Sequence, residues 1–234
     1  MFIQIGNCKS KIVTTNIGVP QGSILGPWLY IMYVNDLPNF TNEPNVIMYA
    51  DDTTVYVTGD NLKYVETRMN EQLNLLNNWF LCNRLSLNVG KTNYVIFRKK
   101  KEAKIQLNNI GIRIGAQEIE RKSVVKFLGI HIDEFLNWDT HITSLSVTLS
   151  KSLYIISKAK QLFKNKKILL MLYYAIFHSH VCYGIHLWSF APAYKIKRIK
   201  SLQKRAVRII HNVKNRHPSA PLFKQSNVLP IEKI

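Results

Sequence analysis

Two adjacent carboxylates, Asp51 and Asp52, sit between the apolar runs Val46 to Ala50 and Thr53 to Val57. The flanking Val46, Ile47, Met48, Tyr49 and Val55, Tyr56, Val57 are β-branched, aromatic or large apolar residues. They predict a strand pair buried on both faces, with the acids where the chain reverses. Aspartate is also an ordinary turn residue, because its side chain bonds its own backbone. Two like charges side by side against an apolar ladder are costly, however, and an Asn-Gly turn would avoid that cost. A divalent cation removes it. Hard oxygen ligands in a rigid strand-turn setting suit Mg²⁺, with Mn²⁺ as the alternative, because such an ion keeps several waters and completes its shell from substrate phosphates. The chemistry this pair predicts is phosphoryl transfer.

A second cluster lies upstream. Gly18-Val19-Pro20-Gln21-Gly22-Ser23-Ile24-Leu25-Gly26-Pro27 is dense in Gly and Pro and runs into Trp28-Leu29-Tyr30-Ile31-Met32-Tyr33-Val34. Read as structure, it is a loop entering a buried helix that Ser23 caps and Asn35-Asp36-Leu37-Pro38 ends. Read as chemistry, the glycines leave room for a nucleotide and the Gln21 amide can touch a base or a backbone. This loop followed by Tyr49-Ala50-Asp51-Asp52 resembles the fourth and fifth conserved blocks of reverse transcriptases, in the same order and at the same separation. The Asn35-Asp36-Leu37-Pro38 ending is similar to non-LTR retrotransposons of the jockey type.

The resemblance implies attack by a primer 3′-hydroxyl on the α-phosphate of an incoming deoxynucleoside triphosphate, templated by RNA. Two Mg²⁺ ions roughly 3.5–4 Å apart would assist. Asp51 is implied as the direct ligand and Asp52 as its support, with Pro20, Gln21, Gly22, Tyr49 and Ala50 bordering the nucleotide. Gly90-Lys91 resembles the next block, in which a lysine lies beside the departing pyrophosphate. Phe127-Leu128-Gly129, continuing into Ile130 and Asp133, is similar to the primer grip. The Leu202-Gln203-x-x-Ala206 stretch resembles the helical thumb that follows the palm. On the implied thumb, Lys151, Lys158, Lys197, Lys204, Arg205 and Arg208 are the residues that would hold the RNA template and DNA primer by their backbones.

Composition agrees with a polyanionic partner. The 234 residues carry 32 Lys and Arg against 14 Asp and Glu, a net charge of +18 and a pI near 9.9. Cys8, Cys82 and Cys182 are odd in number and far apart, which argues for a reducing compartment, nucleus or cytoplasm, and against secretion or a zinc knuckle. No signal peptide is visible. Residues 168–194 lack Lys, Arg, Asp and Glu but contain His178, His180, His186, Gly184 and Pro192, so a buried helix, a break and a second buried element are expected rather than a membrane span. The three histidines are expected to be satisfied core or boundary residues, not metal ligands.

Elements follow from periodicity. Strands are expected about Gly6-Asn7, at Leu85 to Val89, at Tyr94 to Phe97, at Ile105 to Leu107, at Ile110 to Ile114 and at Val124 to Ile132. A helix capped by Asp60 or Asn61 should pack Leu62, Val65, Met69, Leu73, Leu76 and Phe80 under the hairpin. Arg98 to Lys101 reads as a basic loop. Beyond Trp138 the period is helical, with Trp138, Ile142, Leu145, Leu149, Leu153, Ile156 and Phe163 on one face. Ile168 to Phe177 is central. A last helix carries Ile196, Ile199, Leu202, Ala206 and Ile209 inward.

The expected class is α+β: a partial palm of antiparallel sheet with packing helices over 1–135, an all-helical thumb over 136–215, and a linker over 216–234 toward an absent C-terminal region. The family's polymerases carry a further metal-bridging aspartate upstream of the Pro-Gln-Gly loop, whereas nothing before Gly18 is Asp or Glu. The expectation is therefore an N-terminally truncated domain, inactive alone, with exposed sheet edges and apolar surface. The competing expectation is a non-catalytic remnant that binds RNA or an RNA–DNA hybrid. Oligomeric state is left open.

Overall fold

The computed structural model describes residues 2–12, 14, 18–19, 22–40, 46–102 and 110–234. In chain order, β1 (Gln4–Ile5) and β2 (Cys8–Lys9) precede α1 (Leu25–Val34), the strands β3 (Val46–Tyr49) and β4 (Asp52–Val55), and the long α2 (Leu62–Cys82). Short strands follow at β5 (Asn93–Tyr94), β6 (Arg113–Ile114), β7 (Gln117–Glu118) and β8 (Glu120–Arg121), then β9 (Val124–Phe127) and β10 (Ile130–Asp133). The remainder is helical. It comprises α3 (Asp139–Leu162), α4 (Lys166–Tyr173) running into a π turn at Tyr174–His178, α5 (Ser179–Cys182), α6 (Ile185–Trp188), α7 (Ala193–Ile210) and α8 (Ala220–Ser226). The class is α+β. Among the described residues the strands join only in pairs: β1–β2, β3–β4, β6–β7 and β9–β10 antiparallel, β5–β8 parallel. The chain divides into two compact units, Met1–Thr92 with Gln106–Ile119, and Asn93–Ile105 with Glu120–Ile234.

In the first unit, the Asn61 side chain accepts the Lys63 N–H at 2.9 Å and starts α2. Leu76 and Trp79 of α2 form a small core with Val34 and Leu37, and Val46, Met48 and Val55 of the hairpin pack onto it. Trp79 donates its indole N–H to Asp36 at 3.3 Å, so the Asn-Asp-Leu-Pro ending both plugs this core and satisfies its tryptophan.

Three expectations are corrected here. The hairpin is buried on one face, not two: Val46 and Met48 point to the core, while the alternating Ile47 and Tyr49 are exposed. Nor is α1 buried, because Val34 alone is covered and Leu25, Trp28, Ile31 and Met32 stand in solvent. A helix apolar on every side needs partners all round, and this unit supplies one at its C-terminal end. Leu85 to Val89 turns instead of pairing, since the Asn88 side chain takes the Lys91 N–H and closes a 3₁₀ turn at Val89–Lys91. The expected strand Ile105 to Leu107 lies outside the described residues.

The second unit holds the main core. The spacing-predicted face of α3, Ile142, Leu145, Leu149, Leu153 and Ile156, is buried against Leu169, Tyr173, Phe177, Val181, Ile185 and Trp188. The 168–177 segment is central on one face only: Leu169, Tyr173 and Phe177 are buried, whereas Met171 and Tyr174 are exposed. Phe163 drops out of that face as the C-cap of α3 and is exposed. Ile199, Gln203, Ala206, Val207 and Ile210 are the buried line of α7. Val124 to Ile132 is not one strand but a hairpin, reversed by a two-residue turn in which Leu128 (φ 44°) and Gly129 (φ 85°) both have positive φ. Tyr94 pairs with Arg121, but the strand stops there rather than at Phe97.

Residues 216–234 are not a linker. They form α8, and Leu222, Phe223, Val228 and Ile231 enter the same core as α3 and α7. Pro221 falls in the first turn of α8, where a missing N–H costs no helix bond, so it starts order rather than preventing it. Among the described residues, no helix is long and apolar enough to cross a membrane.

Candidate active site and nucleic-acid interface

The register Tyr49↔Asp52 leaves Ala50 and Asp51 as the two turn residues and makes Asp52 the first residue of β4. Ala50 has φ 50°, a left-handed conformation that costs a residue with a Cβ about 1–2 kcal/mol. Both aspartates are exposed, and no side-chain hydrogen bond or ion pair engages either among the described residues. Tyr30 of α1 is near: burial, and then the negative charge of Asp51, raise its phenol above the usual value. Two hard carboxylates at a rigid tip fit part of a Mg²⁺ shell. Among the described residues, no cluster of three or more His, Cys, Asp or Glu groups could hold a metal ion. His178 instead pairs with Cys182, Nε2 to Sγ at 3.3 Å.

Upstream of α1, Gly22 has φ 83° with open space where a Cβ would lie, so its glycine answers a backbone requirement rather than crowding. Ser23 accepts the Gly26 N–H at 3.0 Å and so caps α1. Pro20 and Gln21 lie outside the described residues. Lys91 is exposed at the end of its 3₁₀ turn, whose backbone is tied by Asn88 and by the Thr92 hydroxyl, which donates to the Asn88 carbonyl at 3.0 Å. Gly22, Tyr49, Ala50, Asp51, Asp52 and Lys91 thus share the first unit.

Phe127, Leu128 and Gly129 belong to the second unit. The Tyr183 hydroxyl donates to the Leu128 carbonyl, and a Cβ on Gly129 would sit 3.5 Å from the Tyr183 ring. Lys151 and Lys158 of α3, and Lys197, Lys204 and Arg205 of α7, are exposed. Arg208 is partly covered and donates from Nε to the His217 carbonyl at 2.8 Å. Sequence reasoning missed Tyr30 and Tyr183 as partners of these sites. Tyr30 lay inside an apolar run and Tyr183 beside a helix break.

Residues 1–132 match the model of the family described as reverse transcriptase (RNA-dependent DNA polymerase). The RNA-directed DNA polymerase from mobile element jockey of Drosophila melanogaster is 26% identical over 219 residues, covering 89% of this chain and 23% of that protein. The probable RNA-directed DNA polymerase from transposon X-element of the same fly is 27% identical, covering 82% and 21%. A Pol polyprotein from the type-1 retrotransposable element R1 2 of Nasonia vitripennis is 25% identical over 57% of the chain and 33% of its own length. The chain therefore spans less than a quarter of the length of the jockey and X-element relatives. No solved structure matches it. With the family match over more than half its length, and the Ala50-Asp51-Asp52 turn inside that match, the chain belongs to the reverse transcriptase (RNA-dependent DNA polymerase) family, as a jockey-like non-LTR retrotransposon domain.

Proposed function

We propose that this chain supplies the catalytic hairpin and the nucleic-acid-holding helices of an RNA-directed DNA polymerase, a palm part over 1–135 and a thumb over 136–215. The observation that carries this is the tip itself, two adjacent exposed carboxylates presented by a strained two-residue turn. Asp51 would bind Mg²⁺ or Mn²⁺ directly, with Asp52 supporting. When bound in pairs, such ions lower the pKa of the attacking primer hydroxyl and neutralise charge developing on the α-phosphate.

The chain's own groups do the rest. Gly22, with Pro20, Gln21, Tyr49 and Ala50, borders the deoxynucleoside triphosphate. Lys91 offsets charge on the departing pyrophosphate. The Phe127-Leu128-Gly129 turn holds the primer's 3′ end, and Lys151, Lys158, Lys197, Lys204, Arg205 and Arg208 grip the RNA template and DNA primer through phosphates. Three unpaired cysteines suit work in a reducing compartment, nucleus or cytoplasm.

Two carboxylates are too few for two divalent ions, and no third joins them among the described residues. This chain is therefore expected not to extend a primer by itself. The test is primer extension on an RNA template with Mg²⁺ or Mn²⁺, wild type against Asp51→Asn/Asp52→Asn. Synthesis that disappears in the double variant would show that the chain or a second copy supplies the missing ligand. The exposed cations of α3 and α7 favour a second reading, a non-catalytic binder of RNA or RNA–DNA hybrid. A pure binder holds the hybrid as well or better without the two aspartates, since a like charge is removed.

A further inference from the structure

Helices α3 and α7 leave between them a groove of about 530 Å³, lined by Val147, Ser150, Lys151, Tyr154 and Ile155 of α3 and Arg198 of α7. Tyr154 is 64% exposed, on a helix whose opposite face is fully packed. Lys151 lies three residues before it and Lys158 four after, so both share its face. The Lys158 ammonium sits 5.7 Å from the Tyr154 ring centroid. No acidic residue lines the groove.

An exposed aromatic ring among three cations is the combination that recognises single strands, with a base stacking on the ring and flanking phosphates meeting the cations. A duplex cannot use the ring, because its bases are already stacked on one another, and it would read the cations alone. An anionic membrane would also meet the cations. It engages a broad apolar face, however, whereas the apolar side chains here are Val147, Tyr154 and Ile155, set among Lys151, Lys158 and Arg198.

We propose that the α3–α7 groove is a binding site for an unpaired nucleotide of single-stranded RNA or DNA, with Tyr154 as its stacking platform and Arg198, Lys151 and Lys158 as its phosphate contacts. It rests on the reading that this chain handles nucleic acid, and it adds a single-strand site that the grip on a template–primer duplex does not require.

The test is fluorescence anisotropy of the full chain with an unstructured single-stranded RNA of about 12 nucleotides and with a blunt RNA–DNA hybrid of the same length. Tyr154→Ala, Tyr154→Phe and Arg198→Ala are compared, with circular dichroism confirming each fold. Tyr154→Ala is expected to weaken single-strand binding about 5- to 30-fold and leave the hybrid unchanged, while Tyr154→Phe retains affinity. Arg198→Ala should lower the salt slope for the single strand by about 0.7. Unchanged single-strand affinity in Tyr154→Ala overturns the proposal, as does equal weakening toward both ligands or Tyr154-dependent binding to phosphatidylserine vesicles in place of the oligonucleotide. A wild-type chain that binds the hybrid but not the single strand removes the groove alone. One that binds neither also removes the nucleic-acid reading beneath it.

Discussion

Gln203→Ala should be among the most damaging single substitutions in the helical unit. Gln203 is 1% exposed. Its amide donates to the Tyr173 hydroxyl at 3.0 Å and to the Leu229 carbonyl at 2.9 Å, and its oxygen accepts the Ile231 N–H at 3.0 Å. One side chain therefore ties α7 to the π-turn region and to the chain after α8. Truncation leaves the Tyr173 hydroxyl and the Ile231 N–H buried without partners, each costing about 1–3 kcal/mol. The Leu229 carbonyl, on a partly exposed residue, is rehydrated more cheaply. The expected loss is about 4 kcal/mol, which at an m-value of about 2 kcal/mol/M moves the urea midpoint by about 2 M. Gln203→Met refills the volume but orphans the same groups, so it should recover little. Urea titration followed by tryptophan fluorescence, with limited proteolysis of residues 220–234, measures both effects. A midpoint shift under 0.5 M in Gln203→Ala, with the C-terminal segment still protected, would refute the view that this clamp holds 216–234 in the core.

Replacing Ala50 by Gly relieves its left-handed strain, offset in part by Gly's larger chain entropy, and is expected to stabilise the first unit by about 0.5–1 kcal/mol; thermal unfolding detects it. The pKa of His141 is lowered by burial and by His131, that of His178 by burial, and that of His211 by burial and by Lys166. The unfolded chain thus takes up protons that the folded chain refuses. Stability should be complete above about pH 6.5 and fall as pH drops below that value, visible as a lower urea midpoint at acid pH and absent if the three rings titrate normally. Asp51→Asn should move the Tyr30 phenol back toward 10 without reaching it, because burial is the larger cause, and ultraviolet difference titration reads the shift.

The tip of the hairpin was legible as a reversal because its information is local, like charges bounded by strand-forming residues having few physical explanations, but its register was not: Asp52, expected in the turn, is the first residue of β4 and pairs with Tyr49. The face of α3 was legible for the same reason, stated by spacing alone, whereas on α2 only Leu76 and part of Phe80 from the expected stripe meet the core, and Gln72 and Trp79, outside that stripe, are buried. What failed depended on partners. The apolar composition of α1 says that it can be buried, not that anything covers it. Val124 to Ile132 reads as continuous because Leu128 gives no hint of a left-handed turn, which is held from elsewhere by the Tyr183 hydroxyl. Three prolines disguised α8, whose order comes from Leu222, Phe223 and the Gln203 clamp, residues too sparse to form a period.

Acids are scarce in this chain, 14 against 32 bases, and what each one does bears on the pair at the tip. Asp36 takes the Trp79 indole, and Glu66 the Gly111 N–H at 2.7 Å. Asp133 accepts three backbone N–H groups, those of Phe135, Asn137 and Trp138, where the chain enters α3. Glu134 lies between Arg98 and Arg121 at 3.1 and 2.9 Å, and Asp139 meets Lys195 at 2.8 Å. Each of these has a structural reason to be acidic. Asp60, Glu102 and Glu118 have no such side-chain bond among the described residues, but none of them is adjacent in sequence to another acid. Asp51 and Asp52 are the exception in kind: adjacent, mutually repelling, presented by a strained turn and without a side-chain bond among the described residues. In a fold that employs most of its negative charge to hold itself together, a repelling pair without a structural partner is what the proposed divalent cation, arriving with substrate, would neutralise.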